Sequence, residues 1–447
     1  MLRLAFLFAS SLVAQDFYWL TTSPRSIGMG GVFAPGATTV ADSLAANPAG
    51  LGAISRTTVE LNLSSFFARG QFSNIANNKS PMTLAPAVMP FGGVATAIGN
   101  TGLRLGFGIV PELTAVSQWN YTDAPGTAGV TYGAQKQKAA IVAARLATSI
   151  AFNFSSSFIV GFTYGRVYNS NQLVTPYIFQ SHPALRGLKT LLDLNTEGYG
   201  NNYSIGVMAR PRRNMQFGFS WKSNTTIHST GRAAGNVGLQ LAALGITNFE
   251  PAFRYDAAVR NRLPQSLLLH SSLQFNPRLL LALQGSWVNW RDAFITLPVA
   301  LTNGANSDLN SLLNSTAIND GIPLDWNNRF QGAIGIEYSV LENTRLRTGF
   351  ATGNNPVPSS TLSPLTAAIA RHQWTGGSAG ASLASASILP TLSASIPRPV
   401  SAAAPCSPVS TRTPPPASAS SHSVSAFRPS SSNSRCDSIS PLNGDTC

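Results

Sequence analysis

From about residue 57 to 351, apolar positions recur at every second residue. Leu103, Leu105, Phe107 and Ile109 alternate with Arg104, Gly106 and Gly108, and Phe158, Val160, Phe162 and Tyr164 with Ile159, Gly161, Thr163 and Gly165. Phe217, Phe219 and Trp221 oppose Gly218, Ser220 and Lys222. Leu267, Leu269, Leu273 and Phe275 oppose Ser266, His270, Ser272 and Gln274. Phe330, Ile334, Ile336 and Tyr338 oppose Arg329, Gln331, Ala333 and Glu337. A period of two places each set on one side of a pleated strand. Every predicted strand thus has one greasy, aromatic face and one small or polar face.

The connections alternate in length. Short ones fall at 155–157, 211–214, 276–277 and 341–343, and long ones at 167–199, 223–263 and 291–326. Short–long alternation is expected where each hairpin crosses a membrane and its two ends meet different compartments. A soluble sandwich has no reason to collect its long loops at one end. Trp221, Trp287, Trp290, Trp326 and Tyr338, near strand ends, would suit interfacial girdles. Hydrocarbon offers no partner to an open sheet edge, so such strands must close on themselves. The pattern predicts an all-β fold, a transmembrane antiparallel β-barrel over 57–377.

Composition narrows the alternatives. Of 447 residues 44% are hydrophobic, yet no run of 18 apolar residues occurs, which excludes helical membrane spans. Lys and Arg number 30 against 17 Asp and Glu, a balance of +13, while charged residues make up only 11%. The densest basic cluster, Arg210-Pro211-Arg212-Arg213, is too small to track a phosphate backbone, so no nucleic-acid partner is expected. Met1-Leu2-Arg3, the apolar run Leu4 to Val13 and a small residue at Ala14 read as a signal peptide over 1–14. The histidines at 182, 228, 270, 372 and 422 lack metal-ligand spacing, and no Gly-x-Ser-x-Gly elbow occurs. Gly28-Met29-Gly30-Gly31 lacks the preceding strand and the Lys-Ser/Thr of a phosphate loop. Neither catalysis, a metal nor a cofactor is expected.

Ahead of the strands lies a Gly- and Ala-rich segment with a pattern of its own. It reads Arg25-Ser26-Ile27-Gly28-Met29-Gly30-Gly31-Val32-Phe33, then Ala41-Asp42-Ser43, then Asn47-Pro48-Ala49-Gly50-Leu51. These motifs resemble the N-terminal hatch of the FadL-type family of bacterial outer-membrane transporters of long-chain fatty acids and other hydrophobic compounds. Leu263-Pro264-Gln265-Ser266-Leu267, Trp287-Val288-Asn289-Trp290, Pro323-Leu324-Asp325-Trp326, Leu346-Arg347-Thr348-Gly349-Phe350 and Pro356-Val357-Pro358 are similar to that family too, so the likeness spans residues 23 to 370. It implies about fourteen strands around a hatch at 15–56, and passive passage of an apolar ligand from extracellular loops past the hatch to a lateral exit. It also implies a monomer in the bacterial outer membrane, inserted by the barrel assembly machinery, with membrane lipid and a hydrophobic small molecule as partners.

The hatch residues implied are Gly28, Gly30, Gly31, Asp42, Asn47, Pro48 and Ala49. Glycines there permit unusual backbone conformations and close approach, and Asn47 could satisfy unpaired backbone groups or simply initiate a turn. In the long loops, Leu185, Leu188 and Leu192 have helical spacing, and Leu239, Leu241 and Leu244 form a second apolar group. Either group could offer a landing surface for ligand or pack as a lid. Arg104, Arg329, Arg345 and Arg347 would face the lumen, either steering an acidic head group or pairing with Glu60 or Glu337. A structural or secretion-associated barrel and a secreted soluble β-rich enzyme are the competing readings.

After Gly377 the composition changes. Residues 378–447 hold 20 serines, 10 prolines and all three cysteines, Cys406, Cys436 and Cys447. This tail reads as a shift of reading frame near 371–378, replacing roughly three expected strands, or else as a disordered Ser/Pro linker.

Overall fold

The computed structural model describes residues 6–11, 18, 20–34, 39–67, 70–83, 86–126, 129–362 and 371–380. The chain divides into a unit of Met1–Ala403 and a second of Ala404–Cys447; the second, the cysteines and the tail beyond 380 lie outside the described residues. Of the expected leader only β1 (Phe6–Ser11) is described, running parallel to β2 (Thr58–Phe67).

The wall is a continuous antiparallel ladder. After β2 comes a small hairpin, β3 (Gln71–Asn74) and β4 (Asn77–Thr83), and then β5 (Pro86–Ala97), which pairs with β2. β6 (Leu103–Thr122), β7 (Ala134–Asn153), β8 (Phe158–Ile178) and β9 (Lys189–Arg212) follow, each antiparallel to the last. The lower half of β9 pairs with β10 (Met215–Lys222) and its upper half with β11 (Thr225–Asn236). The partner hairpin breaks at the same height: β12 (Ala252–Leu263) pairs with β11, and β13 (Ser266–Asn276) with β10. Pro264, without an N–H, sits at that break and cannot extend the ladder. β14 (Leu279–Val288), β17 (Arg329–Leu341), β18 (Thr344–Gly353) and β19 (His372–Ala379) complete the order. Between β14 and β17 the chain rises through α4 (Trp290–Ala293), β15 (Thr296–Thr302), α5 (Ser307–Leu313) and β16 (Ile318–Pro323).

The two faces divide as the alternation predicts. Leu105, Phe107, Ile109, Phe158, Phe162, Phe217, Phe219, Leu269, Phe330 and Ile334 are exposed, while Ile159, Thr163, Ser220, His270, Arg329 and Glu337 are buried. Apolar side chains facing outward along the ladder suit lipid, and inward polar ones suit a lumen.

Three expectations need correction. The long connections are mostly strand: β8 and β9 run to Ile178 and Lys189, and β11 and β12 to Asn236 and Ala252. Above the lipid the outer face has no reason to be apolar, so the alternation fades there while the ladder continues. Trp290 and Trp326 are not girdle residues, because both are buried with Phe294 and Tyr18 inside the wall. Finally, the last strand runs to Ala379, beyond the expected boundary at 377.

Candidate functional site

The described residues between Tyr18 and Ile54 pack against the inward faces of the wall. Their local structure follows from their caps. Ser23 accepts from the Ser26 amide ahead of α1 (Pro24–Gly28), and Thr39 accepts from the Asp42 amide ahead of α2 (Val40–Ala45). Asn47 accepts from Ala49 N ahead of the 3₁₀ turn Pro48–Ala53, with Pro48 at its first position. Each cap satisfies an orphan amide, and a proline at the first position loses nothing by lacking one. Gly30 and Gly31 adopt φ of 78° and 81°, conformations that L side chains rarely take. Gly28 does not, and a Cβ there would meet Arg347 only at ordinary contact distance, 3.6 Å, so its expected role falls to its neighbours.

Asp42 organises the first turn. Its carboxylate accepts from the amides of Thr22 and Ser23 at 3.1 and 3.0 Å and from the hydroxyls of Ser23 and Ser26 at 2.5 and 3.0 Å. Asn47 links the segment to the wall. Its amide nitrogen donates to the carbonyls of Val207 and Phe219 at 3.2 Å each and lies 3.0 Å from His270 Nε2. Gly206 on β9 leaves the room for this contact, since a Cβ there would collide with Asn47 Oδ1. Gly349 on β18 does the same for the Met29–Gly30 backbone.

Two buried ion clusters hold the segment from opposite sides. Arg25 and Arg347 both reach Glu337 Oε2, at 2.9 and 2.7 Å. On the other side Glu112 is shared by Arg145 at 2.8 Å and Lys222 at 2.9 Å, all three side chains at most 6% exposed. Arg145 also donates to Leu44 O and Ala45 O, the last carbonyls of α2. A cation is favoured there by the helix dipole, although α2 is short. Glu60 accepts from the Ala41 amide at 3.1 Å near the start of the same helix.

Glu112 sits where the wall is interrupted. The β6 ladder to β7 shifts register between Pro111 and Leu113, a bulge. On its other side β6 pairs with β5 only from Arg104 to Ile109, and with β4 only at Gln118 and Trp119. Among the described residues, Val110 to Val116 have no strand partner on that side except an isolated bridge from Tyr18 to Leu113. The facing stretch of β5 contains Pro90, which can donate no ladder bond. Tyr18 then reaches inward: its hydroxyl donates to Pro264 O at 2.9 Å, Lys222 lies 4.4 Å from its ring centre, and Trp290 packs on its edge.

The remaining expected residues divide. Arg347 pairs with Glu337 as above, and Arg345 reaches the same carboxylate only at 3.7 Å, half-exposed. Arg329 is buried and donates to Asn354 O at 2.7 Å, and Arg104 donates to Ile54 O at 2.6 Å and to carbonyls of the turn below. The four do not converge. Leu185, Leu192 and Leu241 are buried in one cluster among the long connections with Leu188 packed on it, whereas Leu239 and Leu244 are exposed. Leu185 lies in a turn closed by Gly187 at φ 84° rather than in a helix, because Phe179 and Leu188 already pair as the top of the β8–β9 hairpin. Leu239 and Leu241 lie on α3 (Gly238–Ala243).

Beside this cluster, Asp320 on β16 accepts from Ser181 N and Oγ at 2.6 Å, from Gln180 N and from the Tyr177 hydroxyl. Burial raises the Asp320 pKa, but these hydrogen bonds outweigh it and hold the carboxyl below its ordinary 3.8, while burial and the same carboxylate push the Tyr177 phenol up.

Sequence reasoning missed Arg25, Glu112, Arg145, Lys222 and Asp320 as partners. The available signal was a charged residue on an inward position of an otherwise apolar or alanine-rich strand, which names a face but not a partner across the lumen.

A family model described as outer membrane protein transport protein (OMPP1/FadL/TodX) matches residues 6–376. Comparison with curated proteins gives no match. The crystal structure of the Ralstonia pickettii toluene transporter TbuX aligns with a TM-score of 0.63 at 19% identity, covering 82% of this chain and 91% of that one. The Pseudomonas putida toluene transporter TodX aligns at 0.62 and 18%, covering 81% and 90%. A Pseudomonas aeruginosa FadL homologue aligns at 0.59 and 17%, covering 81% and 86%. At these identities the likeness is one of fold.

Proposed function

The chain belongs to the outer-membrane transport protein family OMPP1/FadL/TodX, and from that premise we propose that it is a monomeric channel for passive uptake of hydrophobic small molecules, inserted by the barrel assembly machinery. The ligand class is long-chain fatty acids or aromatic and aliphatic hydrocarbons; the toluene transporters among the similar folds favour including monoaromatics. The segment 15–56 acts as the hatch, with Gly30, Gly31, Asp42, Asn47, Pro48 and Ala49 setting its shape. Ligand leaves sideways through the wall between β5 and β6.

The observation that carries this reading is the unpaired stretch of β6 at the Pro111 bulge, with buried Val110 and Leu113 on its flanks and the hatch against its inner side. Each methylene removed from water contributes about 0.8 kcal/mol, so one deep pocket for ten such groups would hold a ligand by roughly 8 kcal/mol and release it slowly. Successive partial sites avoid that trap. The exposed Leu239 and Leu244 offer a first contact, and the aromatic group of Tyr18, Trp290, Phe294 and Trp326 borders the path inside.

Val110→Asn with Leu113→Asn tests the exit by placing amides in the gap. Uptake of labelled toluene should fall several-fold with the amount of heat-modifiable barrel unchanged. Unaltered uptake would reject the lateral route.

A further inference from the structure

Above the apolar band, the outward positions of β8, β9, β11 and β12 form two adjacent rows. The register aligns Tyr168 with Tyr199, Tyr199 with His228 and His228 with Arg260. The row beneath contains Arg166 opposite Asn201, and Thr226 opposite Arg262. Below them lie the exposed Tyr164, Tyr203, Phe162 and Ile205 of the lipid-facing surface. These two rows contain three arginines and a histidine and no acid. Arg166 lies 5.0 Å from the Tyr199 ring centre and donates to Asn201 Oδ1 at 3.0 Å, which fixes its guanidinium against the barrel with its remaining donors outward. Arg260 and His228 are exposed and have no ion-pair partner among the described residues.

Three acids lie nearby, two of them in contact with residues of the block itself. Glu197, one outward position above Tyr199, accepts from the Tyr168 hydroxyl at 2.8 Å. Asp292 on α4 pairs with Arg262 at 2.9 Å, both side chains at least a third exposed. Asp256, higher on β12, accepts from Asn303.

We propose that this block is a binding site for the phosphorylated saccharide head group of an outer-leaflet lipid, held to the barrel by Arg166, Arg260 and Arg262 with Tyr168 and Tyr199 as the sugar-facing platform. A cationic patch at the head-group level of an outward-facing surface meets lipid phosphates, and each basic residue near such a surface adds attraction. Arginine suits the task because its planar fork binds phosphate oxygens in pairs. Arg166 and Arg260 are three strands and one row apart, roughly 16 Å from ordinary strand spacing and rise. That separation lets one head group with two phosphates bridge them. The block lies outside the wall, so the site does not depend on the transport reading.

The test uses the full chain purified in detergent and bisphosphorylated lipid A as the probe, with retention measured by native mass spectrometry. Arg166→Gln, Arg260→Gln and Arg262→Gln are combined, and Lys136→Gln with Lys138→Gln on β7 serves as a control that removes exposed cations outside the block. Wild type and control should retain lipid A, and the triple variant should bind at least tenfold more weakly with unchanged heat-modifiable migration. Lipid A stripped of its phosphates should fail to compete. Equal retention by the triple variant, equal loss in the control, or full competition by the dephosphorylated lipid would each overturn the site. Should the triple variant not fold, Arg260→Gln alone, with no intramolecular ion pair to lose, is read the same way.

Discussion

Replacing Glu112 by Gln leaves Arg145 and Lys222 buried together without their shared carboxylate. Breaking a buried ion pair from one side typically costs 3–5 kcal/mol, so the barrel should unfold at a markedly lower temperature, read from the loss of compact migration on heating. A variant as stable as wild type would show that the cluster is not held in the arrangement seen. Asn47→Ala removes one cap and three wall contacts, a loss of about 1–3 kcal/mol in holding the proposed hatch. Amide exchange at Ala49 and neighbouring positions should accelerate while β9 and β13 stay protected. Asn47 could be picked out beforehand because its motif is local, three consecutive residues with one backbone geometry. Glu112 and Arg145 could not, since they meet only after β6, β7 and the hatch are assembled; alternation shows that both point inward and nothing more.

At the level of elements, the lipid-crossing strands were legible and their upward extensions were not. Phe158 to Tyr164 alternates because one side faces hydrocarbon. Asn169 to Gln172 is polar on both faces, yet it continues the same strand by pairing with β7 and β9. A loop is the natural reading of such a stretch when periodicity is the signal. The leucines of 185–192 mislead in the same way, spaced like a helix but divided between a turn and the start of β9. Here Asp320 joins β16 to the β8–β9 tip. Its carboxyl pKa is lowered in the folded chain, so the stabilisation is complete above the ordinary value of 3.8 and lost as pH falls through the folded value. Exchange of the Gln180 and Ser181 amides should therefore be flat from neutral pH down to about 4, once corrected for intrinsic rates, and rise in stronger acid. Asp320→Asn should show the loosened tip at every pH. A tip equally protected in the variant would remove the proposed linkage.

For the molecule as a whole, barrel and lipid-facing surface follow from alternation and loop asymmetry, and the proposed hatch from motifs that resemble the family's. The wall gap was foreseeable only as a family feature. A bulge is one residue of register, and Pro111 alone does not say which neighbour is lost. The account's central claim is that apolar molecules pass inside the barrel and around the hatch while polar ones are refused. Uptake of labelled toluene and of a labelled trisaccharide tests it directly, in cells lacking their own hydrophobic-compound channels and carrying either the intact chain, the chain without 26–51, or neither. The intact chain should admit toluene faster than empty cells and exclude the sugar, and removal of 26–51 should admit both. Toluene entry no faster than in empty cells, or free passage of the sugar through the intact chain, would contradict it.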